Sequence, residues 1–237
     1  ERRGLSHDRR FMLVDECGEF ITQRREGVLA QTRLELGERH FRVTAPGREA
    51  LEVPLVPAGG ERIRVRVWND ESEGLLVPEA ADWFSALVGR PLRLVYMPSD
   101  VSRRVDPTYG AEGDIVSFAD GFPLLLVSEG SLEELAHRAG RAFEMQRFRP
   151  NVVVSGTEAH AEDSWRRIRV GAVEMRVVKP CSRCAIPTRD PDTGALGKEP
   201  LTTLATYRKR DGKVMFGMNV IPDFEAELRV GDPVEVL

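Results

Sequence analysis

No stretch of the 237-residue chain is apolar for long enough to span a bilayer as a helix. Positive charge is not in excess either. With 34 Lys and Arg against 38 Asp and Glu, the net charge is −4, which argues against bulk binding to a nucleic-acid polymer but leaves room for a local basic pocket. Cysteine is scarce. Three of them, Cys17, Cys181 and Cys184, do not make a disulfide framework, and a reducing compartment such as the cytoplasm is expected. The four histidines, His7, His40, His137 and His160, are scattered, and Cys181-x-x-Cys184 has no second C-x-x-C or H-x-x-x-H to complete a structural zinc site. Low-complexity segments are absent. What remains is an ordinary globular composition, 41% hydrophobic and 30% charged, in a length that fits one large or two small domains.

Many short strands and few helices are expected. Phe11–Asp15 and Glu19–Arg24 read as a hairpin turning at Glu16–Gly18, with Cys17 in the turn. Arg62–Trp68 alternates charged and apolar residues, so its arginines are expected on a wet sheet face. Pro78–Gly89 reads as a helix, with proline in the first turn and glycine at the end. Pro98–Gly113 is rich in Pro, Ser, Asp and Gly, and marks a domain boundary. Pro123–Val127 is a strand, and Ser131-x-x-Glu134 reads as a capping box opening a helix that runs to about Ala139. Val152–Ser155 is a strand, Leu201–Arg208 a short helix, and Lys213–Val220 a strand. Glu162 and Asp163 could be an acid–base pair, but a structural role is the better reading.

The segment from Val177 to Gly194 carries the chemistry. The apolar run Val173–Val178 leads into Lys179-Pro180-Cys181-Ser182-Arg183-Cys184, and Asp190-Pro191-Asp192-Thr193-Gly194 reads as a turn. Cationic neighbours favour the thiolate, which is both nucleophile and metal ligand. Local chemistry leaves several readings open. They are a half zinc site, a redox pair in a segment whose prolines disfavour a helix, two plain reduced cysteines, or one thiolate on a soft-ligand metal with cations for an anionic cofactor.

These residues resemble the signature of the MOSC family, the molybdenum-cofactor sulfurase C-terminal domains. Within it the chain is most similar to the bacterial YcbX-like proteins and the mitochondrial amidoxime-reducing components. Asp8-Arg9, Ser117–Pro123, Ser128–Leu132, Arg147–Asn151, Glu162–Trp165, Phe216-Gly217 and Val230–Pro233 follow the family's order, so the resemblance covers nearly the whole chain. It implies a mainly β chain with a few helices (α+β). An N-terminal β-barrel-like domain would occupy residues 1–100, its first strand possibly preceding Glu1, and a MOSC β-barrel domain residues 101–237. The implied cofactor is molybdenum–molybdopterin. By resemblance Cys184 is the metal ligand and catalytic residue, and Arg9, Gly121, Phe122, Arg149, Asn151, Ser182 and Arg183 bind the cofactor, with Cys181 a neighbour. The implied reaction reduces small N-hydroxylated compounds. The chain shows no C-x₄-C-x₂-C iron–sulfur motif, so a separate ferredoxin-, flavin- or cytochrome-type electron donor is expected. The family's Lys-Ser phosphate pair would lie upstream of Gly4. The alternative is a cofactor carrier or sulfur-relay module, with a persulfide on Cys184 and no turnover.

Overall fold

Short alternating runs, interrupted by glycine, proline and acidic turns, fold as the short strands that their period requires. The computed structural model describes residues 1–237. It divides into two units, one made of His7–Arg103 with Arg189–Leu196, the other of Glu1–Ser6, Arg104–Thr188 and Gly197–Leu237.

In the first unit, β1 (Phe11–Val14) and β2 (Phe20–Ile21) form the expected hairpin. Asp15 shapes its turn by accepting the amides of Cys17 at 2.9 Å and Glu19 at 3.0 Å. Strands β3 (Arg33–Leu36), β4 (His40–Thr44) and β5 (Leu51–Pro54) make a separate antiparallel sheet. Strands β6 (Arg62–Val67), β7 (Asp70–Leu76) and β8 (Arg93–Tyr96) complete a five-stranded sheet in the order β2-β1-β8-β7-β6. Its two edges meet, because the Arg66 amide donates to Gly18 O at 2.9 Å. On β6 the expected alternation holds: Val65 and Val67 are buried, while Arg62 pairs with Asp100 and Glu73, and Arg66 with Glu19. After a 3₁₀ turn at Pro78–Ala80, helix α1 (Ala81–Val88) ends on left-handed Gly89 and sinks Phe84 against Val43, Val53 and Leu94.

The chain passes from the first unit to the second within β9 (Arg103–Arg104), and the second unit holds its partner β10 (Ile115–Val116) and a larger sheet. The latter comprises β11 (Leu124–Ser128), β12 (Val152–Val154), β13 (Arg167–Val170), β14 (Val173–Ser182), β15 (Lys209–Arg210), β16 (Lys213–Pro222) and β17 (Val234–Val236). Its order is β12-β11-β16-β14-β13-β17 with β15 beside β16, and it curls into a nearly closed barrel. Strand β11 is apolar from Leu124 to Val127, as suits a strand covered on both faces. Leu124 and Leu126 join the barrel core with Ile168, Met175 and Val220, while Leu125 and Val127 pack outward with Leu135, Phe148, Leu204 and Phe216. That outer layer is built on α2 (Glu129–Ala139) and α3 (Leu201–Tyr207).

Two expectations shift. Helix α2 starts three residues earlier than the capping-box reading, because Ser128 is the N-cap and its Oγ accepts the Ser131 amide at 3.1 Å. Ser131 lies inside the first turn, and its Oγ donates to the buried Glu162 carboxylate at 2.7 Å. Glu162 also accepts the Ser128 amide at 3.2 Å and Ser128 Oγ at 2.9 Å, so it anchors a helix N-terminus, where a negative charge is favoured. Asp163 accepts from Arg208 at 2.8 Å and Arg210 at 3.0 Å, so both carboxylates serve the structure, as read. The second shift is in β14, which runs on to Ser182 rather than stopping at Val178. Pro180 is tolerated there because the ladder to β16 slips register between Val177 and Lys179 and again between Pro180 and Ser182.

Candidate functional site

A bulged strand bends and re-aims its side chains, and the bulged end of β14 is where the two signature cysteines emerge. Cys181 and Cys184 are both free and half-exposed, but their surroundings differ. Cys181 packs at the margin of the outer core with Phe148, Leu204 and Phe216. Burial pushes its thiol up, against the lowering effect of Arg183, whose Nη1 donates to Sγ at 3.2 Å. Cys184 follows one residue beyond Arg183, which is itself fixed by its amide donating to Val214 O at 2.8 Å. A 3₁₀ turn at Ile186–Thr188 then leads the chain away, with Ala185 O accepting the Thr188 amide at 3.0 Å and its Oγ at 2.8 Å.

Three of the expected segments converge here. The first is the sulfur loop itself, with Ser182 exposed at the end of β14. The second is Arg149–Asn151. Arg149 caps a 3₁₀ turn (Met145–Phe148) in the left-handed region at φ 55°, with its side chain exposed, and the preceding carbonyl of Phe148 accepts Arg183 Nη2 at 2.7 Å. The third is Asp120–Phe122, near enough that the Asp120 carboxylate raises the Cys181 thiol. Gly121 is not at positive φ, and a Cβ placed there would meet nothing within 4 Å. The chain's own packing therefore does not require glycine at this point, which leaves open space for a ligand to approach main chain.

Phe122 stands edge-on to Tyr109 at 5.9 Å between centroids, and Lys179 Nζ lies 4.3 Å from the Tyr109 ring centre and 5.8 Å from that of Phe122. Lys179 of the signature thus rests on aromatic faces, where a cation is attracted by the ring quadrupole. Asn151 has a structural task that the motif did not reveal. Its Oδ1 accepts the Leu125 amide at 2.9 Å and its own amide donates to Leu125 O at 2.8 Å, sewing the start of β12 to β11. Arg9 belongs to the first unit, at φ 50°, and its guanidinium pairs with the adjacent Asp8. One residue at the site went unnoticed in the sequence: Arg147, which reads there as a flanking residue of Arg149. It bonds Glu144 at 2.6 Å and donates to Pro187 O at 3.4 Å. Its spacing, three residues after Glu144 in a turn-forming run, was the available signal.

No group of three or more His, Cys, Asp or Glu side chains could hold a metal ion by themselves. One thiol with cationic neighbours suits a metal that brings its remaining ligands on an anionic organic group. Arg183 Nε, buried and without a partner, is a further polar atom that such a group could satisfy.

The fold and site define a two-part β protein that presents two thiols at the end of a bulged barrel strand, Cys181 on the strand and Cys184 just beyond it, beside the Arg149 loop. Residues 113–235 match the MOSC domain and residues 1–91 the MOSC N-terminal beta barrel domain. The chain belongs to the MOSC family. It is 36% identical over 250 residues to mitochondrial amidoxime reducing component 2 of Rattus norvegicus, covering 98% of this chain and 74% of that protein. Against mitochondrial amidoxime-reducing component 1 it is 35% identical in Mus musculus and 34% in Homo sapiens, each over 252 residues, 100% of this chain and 74% of the relative.

Proposed function

We propose that the chain is a molybdenum-cofactor-dependent reductase of N-hydroxylated compounds, working with a separate electron-donor protein. The observation that carries this reading is the half-exposed Cys184, framed by Arg183 and the Phe148–Asn151 loop, in a chain 36% identical to an amidoxime-reducing component. When bound, the cofactor would supply the two-electron redox chemistry. The chain's residues would do the rest. Cys184 would ligate the metal through its sulfur. Arg149, exposed at its loop's tip, offers a planar fork for a phosphate. Open space at Gly121 lets main chain approach the organic part. Burial pushes the Cys181 thiol up, against the lowering effect of the Arg183 hydrogen bond, which suits a neighbour of the ligand. Net reduction of R–NHOH to R–NH₂ breaks one N–O bond, takes up two electrons and two protons, and releases water.

The test is elemental analysis of protein expressed with molybdate, together with benzamidoxime reduction driven by an artificial reductant. Cys184→Ser should lose both bound molybdenum and activity, while Cys181→Ser should retain most of each. Full activity in Cys184→Ser would remove the assignment. Metal-free wild-type protein carrying labile sulfane sulfur on Cys184 would favour a sulfur relay instead.

A further inference from the structure

The sulfur loop and the loop before β12 are joined by two arginines that cross. Arg183, in the sulfur loop, donates to Phe148 O at 2.7 Å. Arg147, in the other loop, donates back to Pro187 O at 3.4 Å. Cys184 lies between the two attachment points, one residue after Arg183 and three before Pro187. Arg147 is 11% exposed, and Glu144 accepts its Nε at 2.6 Å, which aims the guanidinium and leaves Nη1 directed at the carbonyl. Proline has no amide hydrogen, so the carbonyl is the only main-chain group through which Pro187 can be held by a hydrogen bond.

We propose that Arg147 is a positioning residue for Cys184: with Glu144 it fixes the far side of the sulfur loop, as Arg183 fixes the near side. This rests on the reading of Cys184 as the metal ligand. Its physical content is independent of any metal. A loop tied on one side only can swing its sulfur about the remaining tie, whereas ties on both sides restrict it to one place. Arg183 alone leaves Ala185–Thr188 held by its own turn bonds and by the Gly197 amide on Thr188 O at 2.9 Å, and Arg147 ties the segment to the loop before β12. The arrangement also passes through Phe148, so the backbone that sets Arg149 is fixed by the same pair.

The test is amide hydrogen exchange on cofactor-free protein, comparing Arg147→Ala and Arg147→Lys with the wild type. Loss of one charge-assisted hydrogen bond should speed exchange of the Cys184–Thr188 amides about fivefold in Arg147→Ala. Lysine, with one donor point rather than a fork, should restore part of the protection. Amides in the pairing of β13 with β17, which neither arginine tie touches, should be unchanged. Should the alanine variant not fold, Arg147→Gln against Arg147→Lys gives the same comparison. Unchanged exchange at Cys184–Thr188, an equal rise throughout the barrel, or no rescue by lysine would each overturn the proposal. Because no metal enters the measurement, a wild type that binds no molybdenum would undo the functional reading and leave this one standing.

Discussion

The signature segment has two halves that are held in different ways. The sulfur half, Cys181–Thr188, combines main-chain bonds (the Arg183 amide to Val214 O, the Thr188 amide to Ala185 O, the Gly197 amide to Thr188 O) with side-chain ties from Arg183 to Phe148 O and from Arg147 to Pro187 O. The turn half, Arg189–Leu196, belongs to the other unit and is held by close main-chain contact. There Gly194 and Gly27 approach so nearly that a Cβ on either would stand 2.5 Å from the other's carbonyl oxygen. Arg189 completes the seam by donating to three carbonyls, those of Gln23, Arg24 and Gly194. Side-chain ties can be loosened and remade one at a time, whereas backbone contact between two glycines tolerates no addition. The sulfur half thus depends in part on side-chain ties, and the turn half is the more rigid where its two glycines meet.

The sharpest way to break this contrast is at Gly194. It sits at φ +70° with a backbone oxygen in the way of any side chain. Gly194→Ala should cost at least about 2 kcal/mol, combining left-handed strain with the clash. Gly212, at φ +75° but with open space around it, provides the control, and Gly212→Ala should cost only about 1 kcal/mol. Chemical denaturation of the two variants checks the difference. Equal costs would mean that the glycine seam is loose in solution and that the contrast between the halves is unfounded.

The second comparison sets the sulfur half against an exposed thiol elsewhere in the chain and reads out as thiol chemistry. Cys17 is exposed in its hairpin turn, whereas burial pushes the Cys181 thiol up. With iodoacetamide at about pH 8, Cys181 should label at least about tenfold more slowly than Cys17, since the thiolate is the reacting form. Peptide mass spectrometry of the cofactor-free protein follows each site separately. Cys181 labelling as fast as Cys17 would show that its packing against the outer core opens freely, and the loop would then be held at neither end.

The strands of the barrel were legible because period and composition report burial directly. Leu124–Val127 reads as one apolar run since both faces are covered, and Arg62–Val67 alternates since one is wet. The family's motif order picked out the sulfur loop, the Arg149–Asn151 turn and Asp120–Phe122, and these three segments lie together in the fold, while their cofactor roles belong to the proposal. What escaped was the destination of the arginines. Arg183, Arg147 and Arg189 all end on main-chain carbonyls, at sequence separations of 35, 40 and 166 residues for Phe148, Pro187 and Gln23. A guanidinium's type and position say that it will find acceptors, not which ones. The same limit applies to Asn151, whose place beside Arg149 suggests a ligand contact but does not show that its side chain also supports the pairing of β11 with β12. It also explains Ser128 against Ser131: two serines three apart can each begin a helix, and only the buried Glu162, distant in sequence, decides which one caps.

The smallest expected effect separates the platforms beneath the two halves. Phe148, whose carbonyl takes Arg183, stacks on Phe216 at 4.3 Å between centroids, and His160 meets the other side of Phe216 at 6.2 Å and Tyr207 at 5.7 Å. Both imidazole nitrogens are buried without partners, and the depression of the His160 pKa comes first from burial and then from Arg208, against Glu162, Asp163 and Glu134. The folded chain therefore resists the proton that the unfolded chain accepts below about 6.5. The stabilisation is complete above that pH and is progressively lost as pH falls toward the lower folded value, because the unfolded state binds more protons in that window. His160→Phe should flatten this part of the pH–stability curve. The glycine seam of the turn half has no such group, so hydrogen exchange between about pH 6.5 and 5 should loosen Met145–Asn151 before Gln23–Gly27, after correction for intrinsic rates. Simultaneous loosening of both segments would mean that the two halves of the signature open as one, and that the rigid half gains nothing from its glycines.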